Sequence, residues 1–350
     1  MAKLKLPKRD VTTLVSKNSK NIFKSKIFSK TLKDSASMKI PQMLFSELIF
    51  ESDLTIMFAS AGVGKTMLAM QIADSISRGT NIHGFINQSE QQKVLYFDFE
   101  LSDKQLEGRY CEKLDGTWFN QYDFHENLIR VTFETDYSKP ITAESVFDGI
   151  LQESKYHEAK IIFIYNITWI AHQGLETSKD AGMLMKKLDN LKKEHKLTII
   201  VLAHTPKKYK WTPMELIDLA GSMQIGNFCD SVFAINFSKI DDSYRYIKQV
   251  KCRFTENKFH SNNVITARIT KIESNFTGYE IMDADDENIL EENHLASKVV
   301  TAVYDEEQII DNKEKAIKII KEKPDISSRQ LALEIDVSRE TARKYLKNYR

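Results

Sequence analysis

The chain has 350 residues, 42% of them hydrophobic, with 50 Lys/Arg against 49 Asp/Glu and three cysteines, enough for one large α/β domain plus a small appendage. No stretch reaches the apolar length of a bilayer span, the N-terminus lacks the apolar core of a secretory signal, and Cys111, Cys229 and Cys252 show no metal-ligand spacing; the expectation is a soluble, cytoplasmic protein with core thiols in a reducing compartment and no membrane partner. The net charge of +1 is unevenly spread, because residues 1–39 carry 11 basic against 2 acidic residues and residues 313–350 carry 11 against 6.

Residues 1–40, rich in Lys, Ser, Asn and Thr, read as a basic arm with a short helix near 19–33 that docks on a neighbouring subunit or on DNA, the alternative being a solubilising tail. Pro41 opens a folded domain expected over 41–282. Its first strong signal is Leu54 to Ala59, an apolar strand that breaks into Ser60-Ala61-Gly62-Val63-Gly64-Lys65-Thr66 and then a helix. The spacing is that of the Walker A phosphate loop with Ala59 at the first glycine position. Backbone N–H groups and a helix N-terminus face the phosphates, Lys65 adds charge, and Thr66 can ligate Mg²⁺. Residues Ala59 to Thr66 are therefore the expected ATP site.

Met67, Leu68, Ile72, Ala73 and Ile76 recur at helical spacing until Gly79. Lys93 to Ser102 reads as a buried strand ending in Asp98 and Glu100, two residues apart and so on one face. Glu100 is expected to position or activate a water, and Asp98 to stand near the metal. Helical patterns near 103–113 and 143–155 flank a strand at 128–133. The strand Lys160–Asn166 should finish on an aspartate holding Mg²⁺ through water; Tyr165 stands there, and a neutral phenol does not replace a carboxylate at a hard cation. A helix at 178–195 leads to the strand Leu197–His204, whose His204 is placed to sense the γ-phosphate. Residues 205–221 set Lys207, Lys208 and Lys210 beside Tyr209 and Trp211, a pattern suited to phosphate contact plus base stacking, or to a solvated loop. Strands near 231–237, 245–253 and 264–272 read as antiparallel additions, the middle one bearing Lys251 and Arg253. Residues 283–312 form an acidic linker. From 313 to 350 the pattern predicts a helix-turn-helix, with a capping box at Ser327–Gln330, a turn at Asp336-Val337 and a last helix bearing Arg339, Thr341, Arg343, Lys344 and Lys347 toward DNA; the alternative is an oligomerisation cap.

On the loop from Ala59 to Thr66, Glu100 after the second strand, the polar strand end His204, and Lys251 with Arg253, residues 43–275 resemble the RecA-like core of hexameric DNA helicases, particularly RepA-type and DnaB-type ATPases carried on bacterial mobile elements. The resemblance implies a mainly parallel α/β core followed by a small all-α helix-turn-helix, and ATP with Mg²⁺ bound between subunits of a homo-oligomer, a hexamer or ring. It also implies catalytic roles for Lys65, Glu100 and His204, with Lys251 and Arg253 acting in trans, and DNA as partner. The departure at Tyr165 leaves two readings open: a hydrolysing helicase or loader, and a regulator switched by ATP binding alone.

Overall fold

The computed structural model describes residues 23–82, 84–133, 141–165, 178–205, 212–219, 223–238, 243–261, 263–282, 315–323 and 326–334, with 342–343, 346–347 and 349. It divides into two compact units between Pro41 and Gln42. In the first, helix α1 (Phe28–Ser35) follows an extended Ile27 (φ −63°, ψ 130°) and buries none of its residues. It begins later than the expected helix near 19–33, of which residues 19–22 lie outside the described ones.

The second unit is built on a nine-stranded sheet. A short ribbon, β1 (Met43–Phe45) and β2 (Ile49–Phe50), precedes β3 (Leu54–Ala59) and helix α2 (Lys65–Arg78). Next come β4 (Val94–Asp98), α3 (Asp103–Arg109), the hairpin β5 (Cys111–Leu114) and β6 (Thr117–Gln121), and β7 (Leu128–Val131). They are followed by α4 (Ala143–Tyr156), β8 (Ile161–Tyr165), α5 (Ser178–His195), β9 (Thr198–His204), α6 (Met223–Phe228), β10 (Ser231–Phe237), β11 (Tyr244–Cys252), β12 (Ile265–Glu273) and β13 (Phe276–Ile281). The sheet order is β13-β12-β11-β10-β3-β9-β8-β4-β7. From β10 to β7 every pairing is parallel, and β11, β12 and β13 add antiparallel strands at one edge.

Strands buried on both faces need uninterrupted apolar runs, and β3, β8 and β9 supply them. Alternate residues serve opposite layers. Met57, Tyr96 and Phe163 pack with Leu68, Ile72 and Ile76 of α2, whereas Ile56, Leu95 and Ile162 pack with Ile150 of α4 and Leu188 of α5. Two expectations need correction. The strand at 231–237 is not an antiparallel addition: Ser231–Ile235 run parallel to Thr55–Ala59, and the sheet turns antiparallel only at β11. The helix expected over 103–113 stops at Arg109, where β5 begins a hairpin turning at Asp115 and Gly116, both at positive φ (48° and 83°).

In the C-terminal part, residues 315–322 are helical and a further helix spans Ser328–Glu334. Ser327 and Gln330 close the expected capping box, with Gln330 N–H donating to Ser327 Oγ at 3.3 Å and Ser327 N–H to Gln330 Oε1 at 3.2 Å. Ala316, Ile320, Ile326, Leu331 and Ala342 form a small core. The turn at Asp336-Val337 lies outside the described residues. No described helix is long and apolar enough to cross a membrane.

Candidate nucleotide-binding site

Strand β3 lies between β10 and β9 and delivers Ala59 to the carboxyl edge of the parallel sheet, level with His204. The chain then wraps through Ser60–Gly64, with Gly62 and Gly64 at φ +76° and +105°, before α2 begins at Lys65. Gly64 is required twice over. Its φ is left-handed, and a Cβ there would stand 2.7 Å from Tyr279 Oη and 2.8 Å from Ile269 Cδ1. The loop is braced from distant strands, because Val63 C=O accepts from Arg245 Nε at 2.7 Å and from Tyr279 Oη at 3.0 Å. Ser60 Oγ lies 3.0 Å from Thr205 Oγ1 and ties the loop to the end of β9.

These elements enclose a cavity of about 310 Å³ lined by Gly62, Lys65, Thr66, Arg109, Tyr165 and His204 among others. Its size suits a polyphosphate. A larger cavity of about 440 Å³ between α3 and β7 is walled by Tyr96, Tyr110, Tyr122 and Phe124. It has no phosphate-binding loop, so the chemistry belongs to the smaller one.

Lys65 is buried, and its Nζ donates to Ala203 C=O at 2.6 Å. Burial pushes its pKa down to about 7, and the Glu100 carboxylate opposes the shift. His204 is also held below its ordinary value, first by burial and then by the Lys65 charge, with Glu100 acting against both. Tyr165 ends β8 directly beside Asp98 of β4, and its ring centroid lies 5.9 Å from Lys65 Nζ. Burial pushes its phenol up to about 12, with Thr66 opposing the shift and the Glu100 carboxylate adding to it. Tyr165 thus shares the cavity with Lys65 and Thr66 at the place where a metal-holding carboxylate was expected.

The structure therefore brings together Lys65, Thr66, Glu100 and His204, but does not bring Asp98 to this cavity. Asp98 Oδ1 accepts from the N–H groups of Glu100 (3.2 Å) and Leu101 (3.0 Å), and Oδ2 from Arg130 Nε (3.0 Å). Asp98 fixes the turn that carries Glu100. Lys251 and Arg253 lie toward the amino-terminal end of the parallel sheet, Lys251 opposite Val232, which pairs with Ile56. There Lys251 Nζ donates to Gly226 C=O at 2.6 Å, and Arg253 pairs with Asp230 and with Asn227 C=O. Lys207, Lys208, Lys210, Trp211, Arg339, Thr341 and Lys344 lie outside the described residues; Arg343 and Lys347 are exposed. Sequence reasoning missed Arg245, Tyr279 and Arg109. The signals present were the buried runs of β11 and β13, and an arginine closing the helix that follows Glu100.

The Lys65 environment makes binding and stability pH-dependent in opposite senses. The unfolded chain holds the lysine proton up to its ordinary value of 10.5 and the folded chain only to about 7. Between those values the unfolded state binds more protons, so stability rises with pH across that window. A polyphosphate favours charged lysine, so above pH 7 nucleotide binding takes up a proton. Affinity then falls by as much as about tenfold per pH unit. Calorimetric titration at pH 8 in two buffers of different ionisation enthalpy should show the uptake, and the permanently charged Lys65→Arg should remove it.

An apolar strand, a left-handed glycine loop and a buried lysine at a helix N-terminus, on a six-stranded parallel layer with β3 between β10 and β9, define a RecA-like P-loop nucleotide-binding protein. Residues 24–210 match the family model described as AAA domain, more than half of the chain, and the chain belongs to that family. Among solved structures it is similar to a KaiC-like protein from the hyperthermophilic archaeon Pyrococcus horikoshii OT3, with 17% identity and a TM-score of 0.44 over 66% of this chain and 91% of that one. No curated protein sequence matches it.

Proposed function

We propose that this protein is an ATP-binding, DNA-associated assembly switch, in which ATP bound by Ala59–Thr66 between subunits of a homo-oligomer controls contact with DNA. The observation that carries the switch reading is Tyr165 at the end of β8, lining the cavity with Lys65 and Thr66 where a metal-holding carboxylate was expected. A neutral phenol stands where a carboxylate would hold the metal, so the resting site is arranged to bind and not to turn over. DNA contact is assigned to loop residues Lys207, Lys208, Lys210 and Trp211 and to the C-terminal basic residues Arg339, Thr341, Arg343, Lys344 and Lys347, supported by their charge and aromatic interleaving. Lys251 and Arg253 are assigned to a neighbour's site, supported by their distance along the sheet from the loop of their own subunit.

The second reading is a hydrolysing helicase or loader of the RepA type, as carried on a mobile element. The electrostatic coupling of Glu100 with Lys65 favours it, because a carboxylate near the phosphate lysine is where an attacking water would be oriented. Steady-state ATP hydrolysis with and without DNA separates the two. The switch predicts ATP binding with background turnover in the natural chain and a gain of at least about tenfold in Tyr165→Asp, equivalent to lowering the barrier by about 1.4 kcal/mol. DNA-stimulated turnover by the natural chain establishes the motor instead.

A further inference from the structure

P-loop sites of this class hold Mg²⁺ through the loop hydroxyl and an aspartate at the end of the neighbouring strand. The residues present here do not fit that ion. The strand-end position is Tyr165, whose phenol is neutral at pH 7 and is a weak partner for a hard cation or its waters. The Thr66 hydroxyl lines the same cavity as that phenol, which occupies the place of the carboxylate partner. Asp98, the adjacent acid, has a fully buried side chain saturated by Arg130 and two backbone N–H groups. Among the described residues no cluster of three or more His, Cys, Asp or Glu is placed to hold a metal.

Positive charge is supplied otherwise. Lys65 stands at the N-terminus of α2, and Arg109, in the last turn of α3, lines the same cavity. Arg109 makes no hydrogen bond or salt bridge to any described residue, so its guanidinium needs no rearrangement of a described pair to meet an anion. A neutral residue in place of the aspartate also removes the repulsion a carboxylate exerts on phosphate when the metal is absent. We propose that the site holds the nucleotide's phosphates with protein cations, Lys65 and Arg109, in place of a protein-held Mg²⁺, so that ATP binds as tightly without the metal as with it. This rests on the reading that Ala59–Thr66 bind nucleotide.

The test is an ATP titration of the full chain in Mg²⁺ and in EDTA, for the natural protein, Tyr165→Phe, Tyr165→Asp and Arg109→Gln. The natural chain and Tyr165→Phe should change Kd by less than about threefold between the two media. Tyr165→Asp should bind at least about tenfold more weakly in EDTA than in Mg²⁺, and Arg109→Gln should lose at least about tenfold in both. Binding by the natural chain that weakens tenfold or more in EDTA overturns the proposal, as does an Arg109→Gln protein that binds like the natural one. Absence of ATP binding by the natural chain in both media is a different result: the nucleotide-site reading itself fails and takes the proposal with it.

Discussion

Replacing Lys65 by methionine should raise the Kd for ATP by at least about 100-fold, close to 2.7 kcal/mol, while leaving the nucleotide-free protein as stable as the natural chain or more so. The two halves have one cause. Lys65 is buried and its partner in the free protein is a neutral carbonyl, that of Ala203 at 2.6 Å. Burial drives its pKa down to about 7, so the fold bears a cost for keeping an ammonium there. Methionine fills similar space without that cost. Phosphate is the partner that repays the burial, and charge-assisted hydrogen bonds contribute about 1.5–3 kcal/mol each. Isothermal titration calorimetry and thermal melts on the same two samples check both halves. A variant that melts lower and also binds poorly would mean that the lysine is structural, and the phosphate role would be lost.

What was legible in the sequence follows from how local each interaction is. The loop from Ala59 to Thr66 could be read because strand, glycines and lysine are contiguous and each has a backbone reason to be where it is. The parallel strands could be read as continuous apolar runs. The direction of β10 could not, because parallel or antiparallel pairing is decided by its neighbour β3 and not by its own residues. The hairpin after α3 carried a usable signal, Asp115-Gly116 between short extended stretches, which the helical pattern running past Arg109 obscured. Arg245 and Tyr279 were out of reach: each bonds Val63 from about 180 residues or more along the chain, and only the sheet order β13-β12-β11-β10-β3 brings them there.

The fate of Asp98 shows the same limit in the site itself. From sequence, Asp98 and Glu100 share a strand face, Glu100 expected at the attacking water and Asp98 near the metal. In the structure β4 ends at Asp98, the chain turns, and a side chain from β7 decides between them. Arg130 takes Asp98 for structure and leaves Glu100 to the cavity.

That division sets the largest expected loss of stability. Arg130→Met should destabilise the protein by about 3–5 kcal/mol, because it strands a buried carboxylate whose charge was balanced by one guanidinium. Arg130 Nε donates to Asp98 Oδ2 at 3.0 Å, Nη1 to Asp103 at 2.6 Å and Nη2 to Leu101 C=O, so a single side chain pins the end of β4, the turn and the start of α3. The carboxylate keeps only the Glu100 and Leu101 N–H groups as partners. Chemical denaturation of the variant beside the natural chain measures the loss. Adding Asp98→Asn should recover part of the loss, since the stranded charge is then gone, and the coupling measured by the double-mutant cycle should be of order 1–3 kcal/mol. Additive losses would show that Arg130 acts through its contacts with Asp103 and Leu101 and not through the charge on Asp98. Because Asp98 also holds the turn that carries Glu100, the variant should loosen the placement of Glu100 beside the site.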